Sequence, residues 1–107
     1  MILPMEAETF LKTIADEKPT LVDFFATWCG PCKMMHPIIE SFKQEYDSKI
    51  NVLTIDVDRH TALSSEFGVQ SVPTLILFKS NKVLWRSSGA MTLSSLKEHI
   101  QKAIGEK

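Results

Sequence analysis

Apart from Cys29 and Cys32 the sequence contains no cysteine, so it has no disulfide framework and no second cysteine pair to complete a four-ligand zinc site. It also lacks any surplus of positive charge. Twelve basic side chains stand against thirteen acidic ones, which leaves neither nucleic acid nor an anionic membrane surface anything to hold. No apolar run is long enough to cross a bilayer, and Met1-Ile2-Leu3-Pro4-Met5-Glu6 has neither the basic n-region nor the apolar h-region of a secretory signal. A cytoplasmic location is the expectation. Repeats, low-complexity tracts and linker-like Gly/Ser/Pro runs are absent too. What remains is 107 residues, 44% of them hydrophobic, enough to fill one core and expected to fold as a single domain over residues 1–107.

The apolar residues fall into short alternating patterns. Ala7, Phe10, Leu11 and Ile14 recur at helical spacing, and Glu17-Lys18-Pro19 breaks the pattern before the buried-strand run Leu21 to Ala26. From Pro31 onward Met34, Met35, Ile38, Ile39, Phe42 and Tyr46 mark the longest helix. Pro31 suits its first turn, and Pro37 is expected to kink it without ending it. Ile50 to Val57 reads as a strand, and Ala62 to Phe67 as a short helix stopped by Gly68. Thr74 to Phe78 and Val83 to Trp85 flank a turn containing Asn81 and form a hairpin. Thr92 caps a last helix with the stripe Leu93, Leu96, Ile100, Ala103 and Ile104, ended by Gly105. A brief strand at Ile2-Leu3 is a further candidate. Strands that alternate with helices and then form a hairpin imply an α/β domain, a mixed sheet covered by helices on both faces.

The chemistry sits where the first strand gives way to the longest helix, at Trp28-Cys29-Gly30-Pro31-Cys32. Cys29 falls just ahead of the first turn, where unpaired N–H groups and the helix dipole favour a thiolate, so it is the expected nucleophile. Cys32, one turn further in, is expected to be the more buried. It would attack the mixed disulfide on Cys29 and leave a Cys29–Cys32 disulfide. Pro31 restricts the loop and keeps the sulfurs close.

The segment from Val22 to Met34 resembles the active-site segment of thioredoxins. The likeness extends to Pro37, to Ser71-Val72-Pro73-Thr74 at the family's cis-proline loop, and to Gly89-Ala90 at a glycine turn beside the active site. The resemblance implies the thioredoxin fold, one mixed sheet of four to five strands flanked by four helices. It also implies electron transfer from NADPH through a thioredoxin reductase to this dithiol, and on to disulfide-containing client proteins, with a monomer and no bound cofactor or metal. Pro73 would be cis and would keep backbone N–H groups off the sulfurs, and the backbone at Val72 would pair with an extended substrate. Trp28, Gly30, Pro31, Val72, Pro73, Gly89 and Ala90 would form a weakly polar docking surface.

Asp23 lies within an apolar strand, where desolvation should raise its pKa. By the same resemblance it would accept the proton of Cys32. The family commonly places a lysine near this aspartate, at the position of Thr54, so Asp23 is expected to hold its proton more tightly here. Phe25 stands where many relatives carry tryptophan, leaving Trp28 and Trp85 as the only indoles and Trp28 as the redox reporter.

Three other readings compete. Cys29 and Cys32 could bind metal with His36, although zinc sites usually need four ligands. The fold could serve as a binding subunit with an incidental dithiol. An exported oxidant or isomerase would use the same chemistry in reverse, although Gly30-Pro31 resembles the reducing members. His36, His60 and His99 read as solvated surface residues, and Met34 and Met35 as packing.

Overall fold

The computed structural model describes residues 7–105. The candidate strand at Ile2-Leu3 lies outside them. The chain runs α1 (Ala7–Ile14), β1 (Thr20–Phe25), α2 (Gly30–Tyr46), β2 (Asn51–Asp56), α3 (Thr61–Glu66), β3 (Thr74–Lys79), β4 (Lys82–Ser88) and α4 (Leu93–Ala103). Four strands form one mixed sheet in the order β2-β1-β3-β4. β1 pairs parallel with β2, the two being joined by the α2 crossover, and antiparallel with β3. β3 and β4 form the hairpin.

The alternation of side chains along β1 and β3 divides the interior into two layers. Leu21, Leu75 and Leu77 pack beneath Met35, Ile39 and Phe42 of α2 and Leu96 and Ile100 of α4. Val22, Phe24, Ile76 and Phe78 point the other way, against Phe10 and Ile14 of α1 and Leu63 of α3. Phe10 is central to the second layer, with its ring edge-on to Phe24, Phe67 and Phe78. Asp23 shares the α2-facing side of β1 with Leu21, and this parity directs its carboxylate toward α2.

Local signals in the sequence fix the ends of these elements. Thr92 accepts the N–H of Ser95 at 3.1 Å and caps α4. After α3 the chain turns at Gly68, whose φ of 64° is open to glycine at little cost. Arg86 of β4 donates to the carbonyls of Phe67 and Gly68 there. The hairpin turn takes positive φ at both Ser80 and Asn81, and both N–H groups bond back to the end of α1, at Asp16 and Ile14. α2 continues through Pro37 to Tyr46 as one helix.

β4 extends to Ser88, three residues beyond the apolar run Val83 to Trp85. As an edge strand it is covered on few sides, so Arg86, Ser87 and Ser88 can complete the pairing without a hydrophobic signature.

Replacing Phe10 by alanine is expected to lower the unfolding free energy by about 3–5 kcal/mol. The half-exposed neighbour Leu11 should cost only about 0.5 kcal/mol on the same change. Equilibrium urea denaturation of both variants checks this, and equal losses would contradict the assigned buried face of α1.

Candidate active site

The junction of β1 and α2 positions the dithiol. Past Phe25 the chain turns, Cys29 N–H bonds the Ala26 carbonyl, and Cys29 becomes the N-cap of α2 with extended backbone angles. Its Sγ accepts the N–H of Cys32 at 3.1 Å, the contact that a side-chain oxygen makes at an ordinary N-cap. Cys29 and Cys32 are joined in a disulfide with Cα atoms 5.2 Å apart. Gly30 and Pro31 between them are exposed.

The two cysteines do not differ in burial as the spacing led us to expect. Cys29 is 4% exposed and Cys32 5%. Cys29 is covered because both join Ala26 in a small apolar cluster that Phe25, Val57 and Val72 close over. Val72 comes from the loop before β3, and its carbonyl oxygen lies 3.6 Å from Cys29 Sγ.

That loop contains a cis bond between Val72 and Pro73. Thr74 Oγ1 donates to the Ser71 carbonyl at 2.7 Å, and the Pro73 carbonyl accepts Gly89 N–H at 2.8 Å, so the glycine turn after β4 is tied to the same loop. Gly89 has a φ of 96°, where a side chain would be strained. Of the residues expected to form a docking surface, Trp28, Gly30, Pro31, Gly89 and Ala90 are exposed, Val72 is half-buried, and Pro73 is buried. Trp28 is 68% exposed and donates from Nε1 to Asp58 Oδ2 at 2.8 Å. Nothing in the sequence pattern singled out Asp58, which follows β2 and meets Trp28 only in the fold. A cleft of about 140 Å³ opens beside this ring, bounded by Val57, Val69, Gln70, Ser71 and Val72.

Behind the disulfide lies Asp23, 2% exposed, with Oδ1 lacking a hydrogen-bond partner among the described residues. Burial pushes its pKa up to about 6, against a smaller opposing pull from the charge of His36. Asp23 and Cys32 line one recess of about 230 Å³ together with Phe25, Ala26, Thr27, Lys33 and His36. Thr54 is the cross-strand partner of Asp23 on β2 and is exposed. The histidines have different surroundings. His36 is exposed and lines this recess, His60 is half-buried at the start of α3, and His99 stacks on Trp85 at 5.4 Å. Among the described residues no three His, Cys, Asp or Glu side chains gather as a metal-ligand set.

A dithiol that closes to a disulfide at the start of a helix, faced by a cis-proline loop, exchanges electrons with other disulfides, so the molecule is a thiol-disulfide oxidoreductase. Its relatives agree. The family model described as Thioredoxin matches residues 1–102. The chain is 39% identical over 93 residues to the thioredoxin of Porphyra purpurea, covering 87% of each, and 47% identical over 73 residues to that of Alicyclobacillus acidocaldarius, covering 68% of this chain and 70% of the relative. Among solved structures, a mutant thioredoxin from Halobacterium salinarum superposes with a TM-score of 0.84 at 34% identity, covering 94% of this chain and 87% of that one. Oxidised mitochondrial thioredoxin 3 from Saccharomyces cerevisiae gives 0.80 at 32%, covering 89% and 88%. The chain belongs to the thioredoxin family.

Folding raises the Asp23 pKa from 3.8 to about 6, so the folded state keeps a proton that the unfolded chain releases between those values. The stability contributed by neutral Asp23 is present below about pH 4 and is lost as pH rises through about 6. The stability of Asp23→Ala relative to the parent should therefore improve by about 2–3 kcal/mol from pH 4 to pH 8. Urea denaturation of the oxidised proteins at both pH values measures it, and a pH-independent difference would contradict the assignment.

Proposed function

We propose that this chain is a protein-disulfide reductase acting as a single thioredoxin domain, monomeric and cytoplasmic, and recycled by an NADPH-dependent thioredoxin reductase. The observation that carries the reading is the N–H of Cys32 directed at Cys29 Sγ on the first turn of α2. Such donors and the helix dipole favour the thiolate. Thioredoxins are themselves a standard instance of this effect, so its direction is carried over with the family.

In the reduced protein the Cys29 thiolate attacks one sulfur of a client disulfide. A Cys29–client disulfide forms and the first client thiolate leaves, taking a proton from solvent. The Cys32 thiol gives its proton to Asp23 across their shared recess. The resulting thiolate attacks Cys29 Sγ, which breaks the mixed disulfide and releases the second client thiolate. The dithiol has lost two electrons and the client disulfide has gained them. Asp23 suits the acceptor role because burial holds its pKa at about 6, close to working pH. The client docks as an extended segment beside Val72, with Trp28, Gly30, Pro31, Pro73, Gly89 and Ala90 around it. Main-chain pairing at such a surface accepts many sequences.

NADPH-dependent reduction of insulin, coupled through a thioredoxin reductase, tests this. Turnover is expected in the parent and background rates in Cys29→Ser, while Cys32→Ser should accumulate a mixed disulfide on Cys29. A strongly oxidising reduction potential with no reductase coupling would overturn the reductant reading, and a mixed disulfide formed by Cys29→Ser would overturn the assignment of roles.

A further inference from the structure

Asp23 is a buried acid, and the strands beside it supply no charge to balance it. Its neighbour on β2 is Thr54 and its neighbour on β3 is Leu75. Lys43, Asp56 and Arg59 line a second recess with Thr54, which adjoins that of Asp23 at Phe25 and Thr27, and there Arg59 lies 3.8 Å from Asp56. The titratable groups that share the recess of Asp23 all come from α2: Cys32, Lys33 and His36. Cys32 and His36 are four residues apart and stand one above the other on a single helix face. Lys33 is turned about 100° from Cys32 around the helix. Of these, His36 favours the ionised form of the Asp23 carboxyl, against the larger opposing effect of burial.

We propose that His36 is the charge partner of Asp23, set on the wall of the shared recess one helical turn beyond Cys32, and that it favours the carboxylate form that accepts the Cys32 proton. The proposal rests on the reading of Asp23 as proton acceptor. His36 is a positioning residue that acts through Asp23. The proton that leaves Cys32 resides on Asp23 and passes to solvent at the mouth of the recess, where the exposed imidazole sits. The resolving step therefore inherits the pH dependence of the Asp23 carboxyl.

The test follows the Asp23 carboxyl carbon by NMR titration in the oxidised parent, His36→Gln and His36→Lys. The Asp23 midpoint should rise by about half a pH unit in His36→Gln and be restored to the parent value or lower in His36→Lys. Both differences should shrink in about 1 M salt. Stopped-flow measurement of the resolving step should show its acid limb moving with the midpoint, upward in His36→Gln and back in His36→Lys. A merely structural role would slow the step evenly across pH and would not be rescued by lysine. An Asp23 midpoint unchanged in both variants overturns the pairing. A midpoint that moves while the rate profile stays fixed leaves the pairing standing and removes Asp23 from the reaction, so the two failures are distinguishable.

Discussion

β1 is hydrogen-bonded along both edges and covered on both faces, and the rest of the molecule is arranged around that confinement. A strand so enclosed has to be apolar, and Leu21, Val22 and Phe24 meet the requirement with no exposed surface. The same enclosure holds Asp23 away from water and drives its pKa upward. At its C-terminal end β1 hands the chain to α2 through a short turn, so the first helical N–H groups meet a cysteine sulfur. The reactive dithiol and the desolvated acid are two outcomes of one confined strand, lying on the α2 side of the sheet.

The reactive face is assembled at one end of that sheet from segments far apart in sequence. β1 ends there at Phe25, the antiparallel β3 begins there at Thr74, and β4 ends there at Ser88. The loops carrying Cys29, Val72-Pro73 and Gly89 therefore meet, and the bond from Gly89 N–H to the Pro73 carbonyl fastens two of them. β2 ends at the same side, since it runs parallel to β1, and it brings Asp58 to the indole of Trp28. Two buried layers hold the strands in register, so the geometry of the site depends on packing well away from the sulfurs.

Much of this was legible in the sequence because the signals were local. Helical spacing marked α1, α2 and α4 to within a residue or two, Gly68 and Asn81 marked turns, and the two cysteines were separated into helix cap and first-turn positions. The resemblance to thioredoxins pointed to Pro73 and Gly89. Features that depend on contacts across the fold were not legible. The near-equal burial of Cys29 and Cys32 reflects Val72, which reaches Cys29 from 43 positions away. The Trp28–Asp58 bond spans 30 positions. His36 read as a solvated residue because its exposure on α2 is ordinary, and only the parity of Asp23 on β1 reveals that the two share a recess.

The central claim is that the start of α2 selects Cys29 over Cys32 as the attacking sulfur, although the two are equally buried in the disulfide. Limiting iodoacetamide, applied to the reduced protein across a range of pH and mapped by mass spectrometry, tests that selection directly. The account predicts label on Cys29 alone, with a midpoint clearly below the value of about 8.5 of an ordinary thiol. Label on Cys32, or a Cys29 midpoint at the ordinary value, would contradict it.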